Sequence, residues 1–201
     1  TGKVNLSKIV AITGPEVRNP RYVRCLPGYP VKALVEGNVY KEVPLRYING
    51  NVLSGKKVDY EGSLDFYSYQ LTVIREGQNI HEFIGWIMPR LNTFSFSRTY
   101  FSWIIQKIIP NITFTADTRI LGGERALIMS GEYDRVFPMS VLPEQLVRAC
   151  ITGNYEKMED LGIYEVAPED FALCEFVCTS KIEVQKIIRQ SLDSLKLENG
   201  D

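Results

Sequence analysis

Two cysteines carry the only spacing in this chain that suggests inorganic chemistry. Cys174 and Cys178 stand four apart in Leu173-Cys174-Glu175-Phe176-Val177-Cys178-Thr179-Ser180-Lys181, the spacing that closes the C-x2-C-x2-C-x3-C ligand run of a ferredoxin. Counting back in threes puts Phe171 and Pro168 where the first two thiolates belong, and neither binds iron. Upstream, the stretch from Met129 to Met139 has the outline of a first run, with Phe137-Pro138 in place of the closing Cys-Pro. On that register Leu127, Ser130, Tyr133 and Phe137 occupy all the ligand positions. The fourth cysteine of each run serves the other cluster in two-cluster ferredoxins, so each cluster would keep roughly one thiolate of four. No cluster is expected, and Cys174 and Cys178 remain as residues at cluster positions without a metal. The plainer reading makes them small buried apolar residues one turn apart on a helix. Both readings predict no redox centre.

Other chemistry is excluded or weakly supported. A single histidine, His81, cannot build a two-histidine metal motif, and its setting Ile80-His81-Glu82-Phe83-Ile84 reads as a strand histidine. No serine stands in a Gly-x-Ser-x-Gly turn. The carboxylate groups Glu165, Glu169 and Asp170, or Glu132 and Asp134, could serve a hydrolase only if burial raised one pKa. They sit at expected helix starts and turns, where acidic residues favour the helix dipole or stay solvated. Gly122-Gly123 reads as a turn rather than a phosphate cradle. Lys3, Lys8, Arg18, Arg21 and Arg24 make a locally basic start with Tyr22 interleaved. A solvated face, or a patch that meets an acidic neighbour, suits them better than nucleic acid, because the whole chain carries a net charge of -1.

The elements that must position these residues divide the chain into an α+β arrangement. Lys8 to Thr13 is a β-branched run stopped by Gly14-Pro15, and Tyr22 to Leu26 follows, stopped by Pro27-Gly28. Val31, Leu34 and Val35 give a short helix between Pro30 and Gly37. Tyr47-Ile48, the turn Asn49-Gly50, Val52-Leu53 and then Tyr69 to Ile74 read as further strands, which completes a small β-grasp unit. From Ile80 to Ile109 the chain is aromatic, with Phe83, Trp86, Phe94, Phe96, Tyr100, Phe101 and Trp103. These rings are expected to fill a core between domains, with an interface as the alternative. Phe101, Ile104, Ile105 and Ile108 have helical spacing ahead of Pro110. Helices then follow from Pro143 to Thr152, from an Asn154 cap to Gly162, from Pro168, and after Ser180, where Ser180 and Glu183 read as a capping box. The last carries an apolar stripe of Val184, Ile187, Ile188, Ser191, Leu192 and Leu195. The expected domains are a β-grasp unit over 1–78, an aromatic-rich connection over 79–123 and a helical unit over 124–201.

Composition agrees with an ordinary globular chain: 45% hydrophobic and 23% charged among 201 residues, enough to build one large or two small cores. No apolar run reaches the roughly 18 residues of a membrane span, and no secretory pattern opens the chain. Four cysteines without a dense framework suit a reducing compartment. The chain opens on Thr1 rather than Met, so a piece of a longer protein is expected.

A family resemblance gathers these features. The passage Gly131-Glu132-Tyr133-Asp134-Arg135-Val136-Phe137-Pro138, with Leu142-Pro143, Leu161-Gly162 and Asp170 through Cys178, resembles the C-terminal region of the A subunit of the Na+-translocating NADH:quinone reductase. Ile12-Thr13-Gly14-Pro15, Asn19-Pro20-Arg21, Val52-Leu53-Ser54-Gly55, Arg75-Glu76-Gly77 and Gly85-Trp86-Ile87-Met88-Pro89 are similar to the same family in the same order. Thr179 follows Cys178 where the family more often has Pro. The family is itself similar to the C subunit of the Rnf complex and to the NADH-oxidising flavoprotein subunit of complex I.

The resemblance implies a β-grasp domain of the SLBB, ubiquitin-like kind, then a helical domain like an α-helical ferredoxin without clusters, both preceded by an N-terminal portion with a Rossmann-like domain. It also implies a cofactor-free peripheral subunit on the cytoplasmic face of the bacterial inner membrane. Such a subunit docks to a membrane-embedded partner, while NADH oxidation, flavins and sodium passage belong to other subunits. A quinone is the one small molecule it admits, with Phe94, Phe96 and Trp103 as the rings able to stack on it. A carboxylate-based hydrolase and a generic interaction module stand as alternatives.

Overall fold

The computed structural model describes residues 2, 4–40, 42–77, 93–94, 96, 98, 100–109, 111–112, 114, 117–120 and 122–200. Lys3, His81, Phe83 and Trp86 lie outside these residues, as does the start of the connection over 79–123, up to residue 92. The chain forms two compact units, Thr1–Leu121 and Gly122–Asp201.

In the first unit the strands are β1 (Lys8–Thr13), β2 (Arg21–Cys25), β3 (Leu45–Asn49), β4 (Lys56–Val58) and β5 (Gln70–Arg75), with helix α1 (Val31–Val35) between β2 and β3. They form one sheet in the order β2-β1-β5-β3-β4. β1 and β5 run parallel at its centre, and the other neighbours are antiparallel. Alternation along β1 turns Val10 and Ile12 inward, where Leu71 and Val73 of β5 join Val31, Leu34 and Val35 of α1 in one core. That is the β-grasp arrangement. Gly14, at φ +119°, lets the chain leave β1 pressed against the Val73 backbone, where a Cβ would collide with the carbonyl oxygen. Helix α2 (Ser102–Ile108) is the last regular element of this unit among the described residues. The helix forms where the apolar spacing places it, with Phe101, Ile104 and Ile108 exposed and Ser102 buried.

Two local expectations fail for identifiable reasons. Val52 and Leu53 form a turn instead of a strand, because the Asn51 side chain accepts from the backbone N–H of Leu53 at 2.8 Å and of Ser54 at 2.9 Å. The Ser180–Glu183 capping box does not form either. Ser180 is buried and its hydroxyl accepts from the Ile128 N–H at 3.2 Å, while Lys181 takes a positive φ of 56°.

The second unit is helical: α3 (Pro143–Thr152), α4 (Tyr155–Asp160), α5 (Ala172–Val177) and α6 (Val184–Asn199), with 3-10 turns at Ile163–Glu165 and Pro168–Phe171. Pro143 opens α3 where its missing N–H costs nothing, and Gly153 closes it in the left-handed region. The Asn154 side chain caps α4 by accepting from the Lys157 N–H at 3.0 Å. The start of α6 is capped from elsewhere, by Glu175 of α5, which accepts from the Gln185 N–H at 2.9 Å. Val184, Ile188 and Leu195 carry the stripe of α6 into a core with Leu146, Val147, Met158, Ile163, Phe171 and Val177.

Candidate functional site

The residues at the degenerate ligand positions lie within this helical unit. The turn Pro168–Phe171 leads into α5, whose geometry puts Cys174 and Cys178 one turn apart, both fully buried. The Tyr133 hydroxyl donates to the Cys178 sulfur at 3.0 Å. The Cys174 sulfur lies 4.0 Å from the Tyr133 carbonyl oxygen, a weak thiol contact. The Phe137 and Phe171 rings meet at 4.7 Å between centroids, tilted by 43°. Leu127, Tyr133, Phe137, Phe171, Cys174 and Cys178 thus share one apolar core. Pro168 is buried beside the same turn. Ser130 departs from the group: it is exposed, and its backbone N–H donates to Glu144 at 3.1 Å.

Electrostatics keep this centre neutral. Burial first, and the Asp134 carboxylate second, push the Cys174 thiol up to about 12 from an ordinary 9.0. Burial also raises the Tyr133 phenol, as does the hydrogen bond it gives to Cys178. A thiolate is the form that binds metal or attacks electrophiles, and desolvation opposes it here. All four cysteines are free and buried, and among the described residues no group of His, Cys, Asp and Glu is placed to hold a metal ion.

The other candidates disperse. Glu132 pairs with Arg135 at 2.9 Å, and Asp170 accepts from the Ala167 N–H at 2.8 Å as a turn cap. Glu165 and Glu169 are exposed on separate turns. Phe94 and Phe96 are partly exposed, Phe94 meets Phe114 edge-on at 6.0 Å, and Trp103 is half-buried on α2. Open cavities among the described residues include one of about 290 Å³ between Pro15, Glu16, Tyr40 and Arg75 and one of about 330 Å³ between Leu127, Ile151 and Ile187. Neither is lined by Phe94, Phe96 or Trp103. The basic start is also no single surface. Lys8 points inward and donates to the carbonyl oxygens of Asp65, Phe66 and Ser68 at 2.8, 3.0 and 2.7 Å. Arg18 lies over the Tyr40 ring at 5.2 Å, while Arg21 and Arg24 are exposed.

Three charged side chains, Lys8, Glu16 and Glu144, are buried without having been expected so. Lys8 was detectable, because alternation puts it on the same side of β1 as Val10 and Ile12. Glu144 accepts from the Gly131 N–H at 2.7 Å and so ties the start of α3 to the segment holding Tyr133. Its only sequence signal is an acidic first-turn residue, which is usually solvated.

Comparison with known proteins shows what the chain is similar to. The family model described as the NQRA C-terminal domain matches residues 9–59. The matched residues cover β2, α1, β3, β4 and nearly all of β1, and β5 completes the sheet beyond the matched stretch. The similarity extends through the helical unit. The chain is 40% identical to the A subunit of the Na(+)-translocating NADH-quinone reductase of Pasteurella multocida, over 98% of the chain and 43% of that protein. It is 38% identical to the corresponding protein of the same name from Haemophilus influenzae and 35% identical to that from Rhodopirellula baltica, each over 98% of the chain. The chain therefore spans less than half the length of these relatives, and it is homologous to that part of the A subunit.

Proposed function

We propose that this chain serves as the C-terminal part of a peripheral, cofactor-free subunit of a Na+-translocating NADH:quinone reductase. It contributes shape and contact to the complex and leaves the chemistry to other subunits. The observation that carries the reading is similarity to the reductase's A subunit along 98% of the chain. The chemistry of the helical core supports it. A ferredoxin-like domain stripped of its thiolates needs apolar filling, and Tyr133, Phe137 and Phe171 supply it at the ligand positions. The subunit docks to a membrane-embedded partner at the cytoplasmic face. No helix among the described residues is long and apolar enough to cross a membrane itself.

Copurification tests the reading. A tagged full-length subunit is expected to bring down the membrane subunits of the reductase, and its recovery alone would overturn the proposal. Iron and acid-labile sulfide in the isolated chain should be far below one per chain, and stoichiometric iron would reverse the account of Cys174 and Cys178. Quinone contact is proposed for the exposed aromatic stretch, with Phe94, Phe96 and Trp103 as the stacking residues. A soluble quinone should quench tryptophan fluorescence saturably, with the response lost in Trp103→Leu. Linear quenching without saturation would remove the quinone from the account.

A further inference from the structure

Strand β2 is the outermost strand of the sheet and pairs only with β1. Half of its backbone N–H and C=O groups therefore point away from the sheet, and among the described residues no strand or loop bonds to that edge. Its side chains are equally unspent. Tyr22 is 80% exposed, and Ile9, opposite Arg24 on the outer face, is 53% exposed.

Charge on this edge is uncompensated, whereas four other cations of the unit are paired. Arg46 is paired with Glu76, Arg75 with Glu16, Arg119 with Asp117 and Lys32 with Glu61. Arg21 and Arg24 have no carboxylate partner among the described residues. Two exposed guanidiniums on a five-residue edge strand, with an exposed tyrosine between them, leave a complement to be supplied from outside. Arg24 lies on the outer face opposite Ile9, and Arg21 on the other face opposite Ile12. An added strand carrying carboxylates on both faces, three residues apart, would bring them within about 5 Å of the two guanidiniums, and its backbone would satisfy the free edge.

We propose that β2 is a docking edge that takes an extended, acidic segment of another polypeptide as an additional strand. In the reductase this segment belongs to one of the neighbouring subunits, an assignment that rests on the function proposed for the chain. An anionic lipid surface suits the site less well. Two arginines gain only about 1 kcal/mol each from such a surface, and headgroups leave the edge N–H and C=O groups unpaired.

The test uses the chain and two labelled peptides, one repeating Glu-Val-Val, whose glutamates match the three-residue spacing of Arg21 and Arg24, the other repeating Lys-Val-Val, with a central-proline copy of the first. The acidic peptide is expected to bind at least tenfold more tightly than the basic one and to lose binding with the proline, which removes a backbone donor. Arg21→Glu with Arg24→Glu should reverse the preference, while an unchanged melting temperature shows that the exposed replacements leave the fold intact. Equal binding of both peptides, no binding of the acidic one, or an unchanged preference in the double variant would overturn the proposal. So would binding of phosphatidylglycerol vesicles that the acidic peptide fails to displace. Failure of the full-length protein to copurify with membrane subunits, with the peptide preferences as expected, would refute the place in the reductase and leave the docking edge standing.

Discussion

Cysteine labelling gives the most direct measure of how inert the core around Tyr133 is. At pH 8 a thiol pushed up to about 12 is ionised in about one molecule in 10⁴, against about one in ten at the ordinary 9.0. Direct attack by Cys174 in the folded state is therefore slowed about a thousandfold before access is considered. Access is the second barrier, since Cys174 and Cys178 expose essentially no surface. Labelling through an opened state depends on stability. At about 0.05–0.15 kcal/mol per residue a unit of about 80 residues is worth about 4–12 kcal/mol, so it is open less than about once in 10³. Either route leaves the rate at least about 10³ below that of the unfolded chain. The assay is an iodoacetamide time course in buffer and in urea, with each cysteine followed by peptide mass spectrometry. Cys25 should lead, because the Lys8 ammonium opposes the effect of burial on its thiol. Labelling of Cys174 or Cys178 in the folded protein within about tenfold of the urea rate would refute the reasoning, and with it the description of these positions as a closed apolar core.

Three further outcomes follow from the first unit, which holds both tryptophans and is therefore followed by tryptophan fluorescence. Lys8→Met strips a charged donor from three carbonyl oxygens and should cost about 3 kcal/mol in urea unfolding; a loss under about 1 kcal/mol would mean that water replaces the ammonium. Gly14→Ala combines a left-handed φ with a collision at the Val73 carbonyl, so it should cost more than about 2 kcal/mol or abolish soluble expression, and a variant with an unchanged midpoint would contradict the backbone geometry. The hydrogen bond from Arg46 holds the Glu76 carboxyl below its ordinary 4.5. The pair's contribution is then fully present above about pH 4.5 and fades as the pH falls through the folded-state value, so Glu76→Gln should flatten the acid limb of stability in that window. An acid limb of identical slope in the variant would assign the loss to other carboxylates.

Local signals were legible where the physics is local. Gly14-Pro15 and Pro27-Gly28 marked the ends of β1 and β2, and Pro143, Gly153 and Asn154 bounded α3 and α4 through the caps they make. Partners chosen across the fold were not legible. The parallel pairing of β1 with β5 joins residues about sixty positions apart and has no trace in either strand's pattern. Ser180 reads as a helix cap, but the hydroxyl serves the Ile128 N–H, and the cap of α6 comes from Glu175 on another helix. Likewise Asn51 overrode the β-branched signal of Val52 through hydrogen bonds no longer than a turn. Counting cysteine positions identified Tyr133, Phe137, Phe171, Cys174 and Cys178, which share a core, yet the same count included Ser130, which lies outside it.

On the proposed reading of the helical unit, its apolar core and an iron-sulfur cluster exclude one another physically. Phe171 is completely buried and packed against Phe137, and the Tyr133 hydroxyl is engaged with Cys178. Returning Phe171 alone to cysteine would empty a phenyl-sized volume, which costs on the order of 3 kcal/mol in a packed core. It would still leave a four-iron cluster short of ligands, so no single reversal gains binding energy to offset the lost packing. The remaining thiol at Cys174 is moreover held in the protonated form by the desolvation that the aromatic filling creates. Once such rings occupy the ligand positions, each one stabilises the fold on its own, whereas thiolates contribute only as a complete set. That asymmetry gives a cofactor-free descendant of a cluster carrier a physical reason to remain a scaffold.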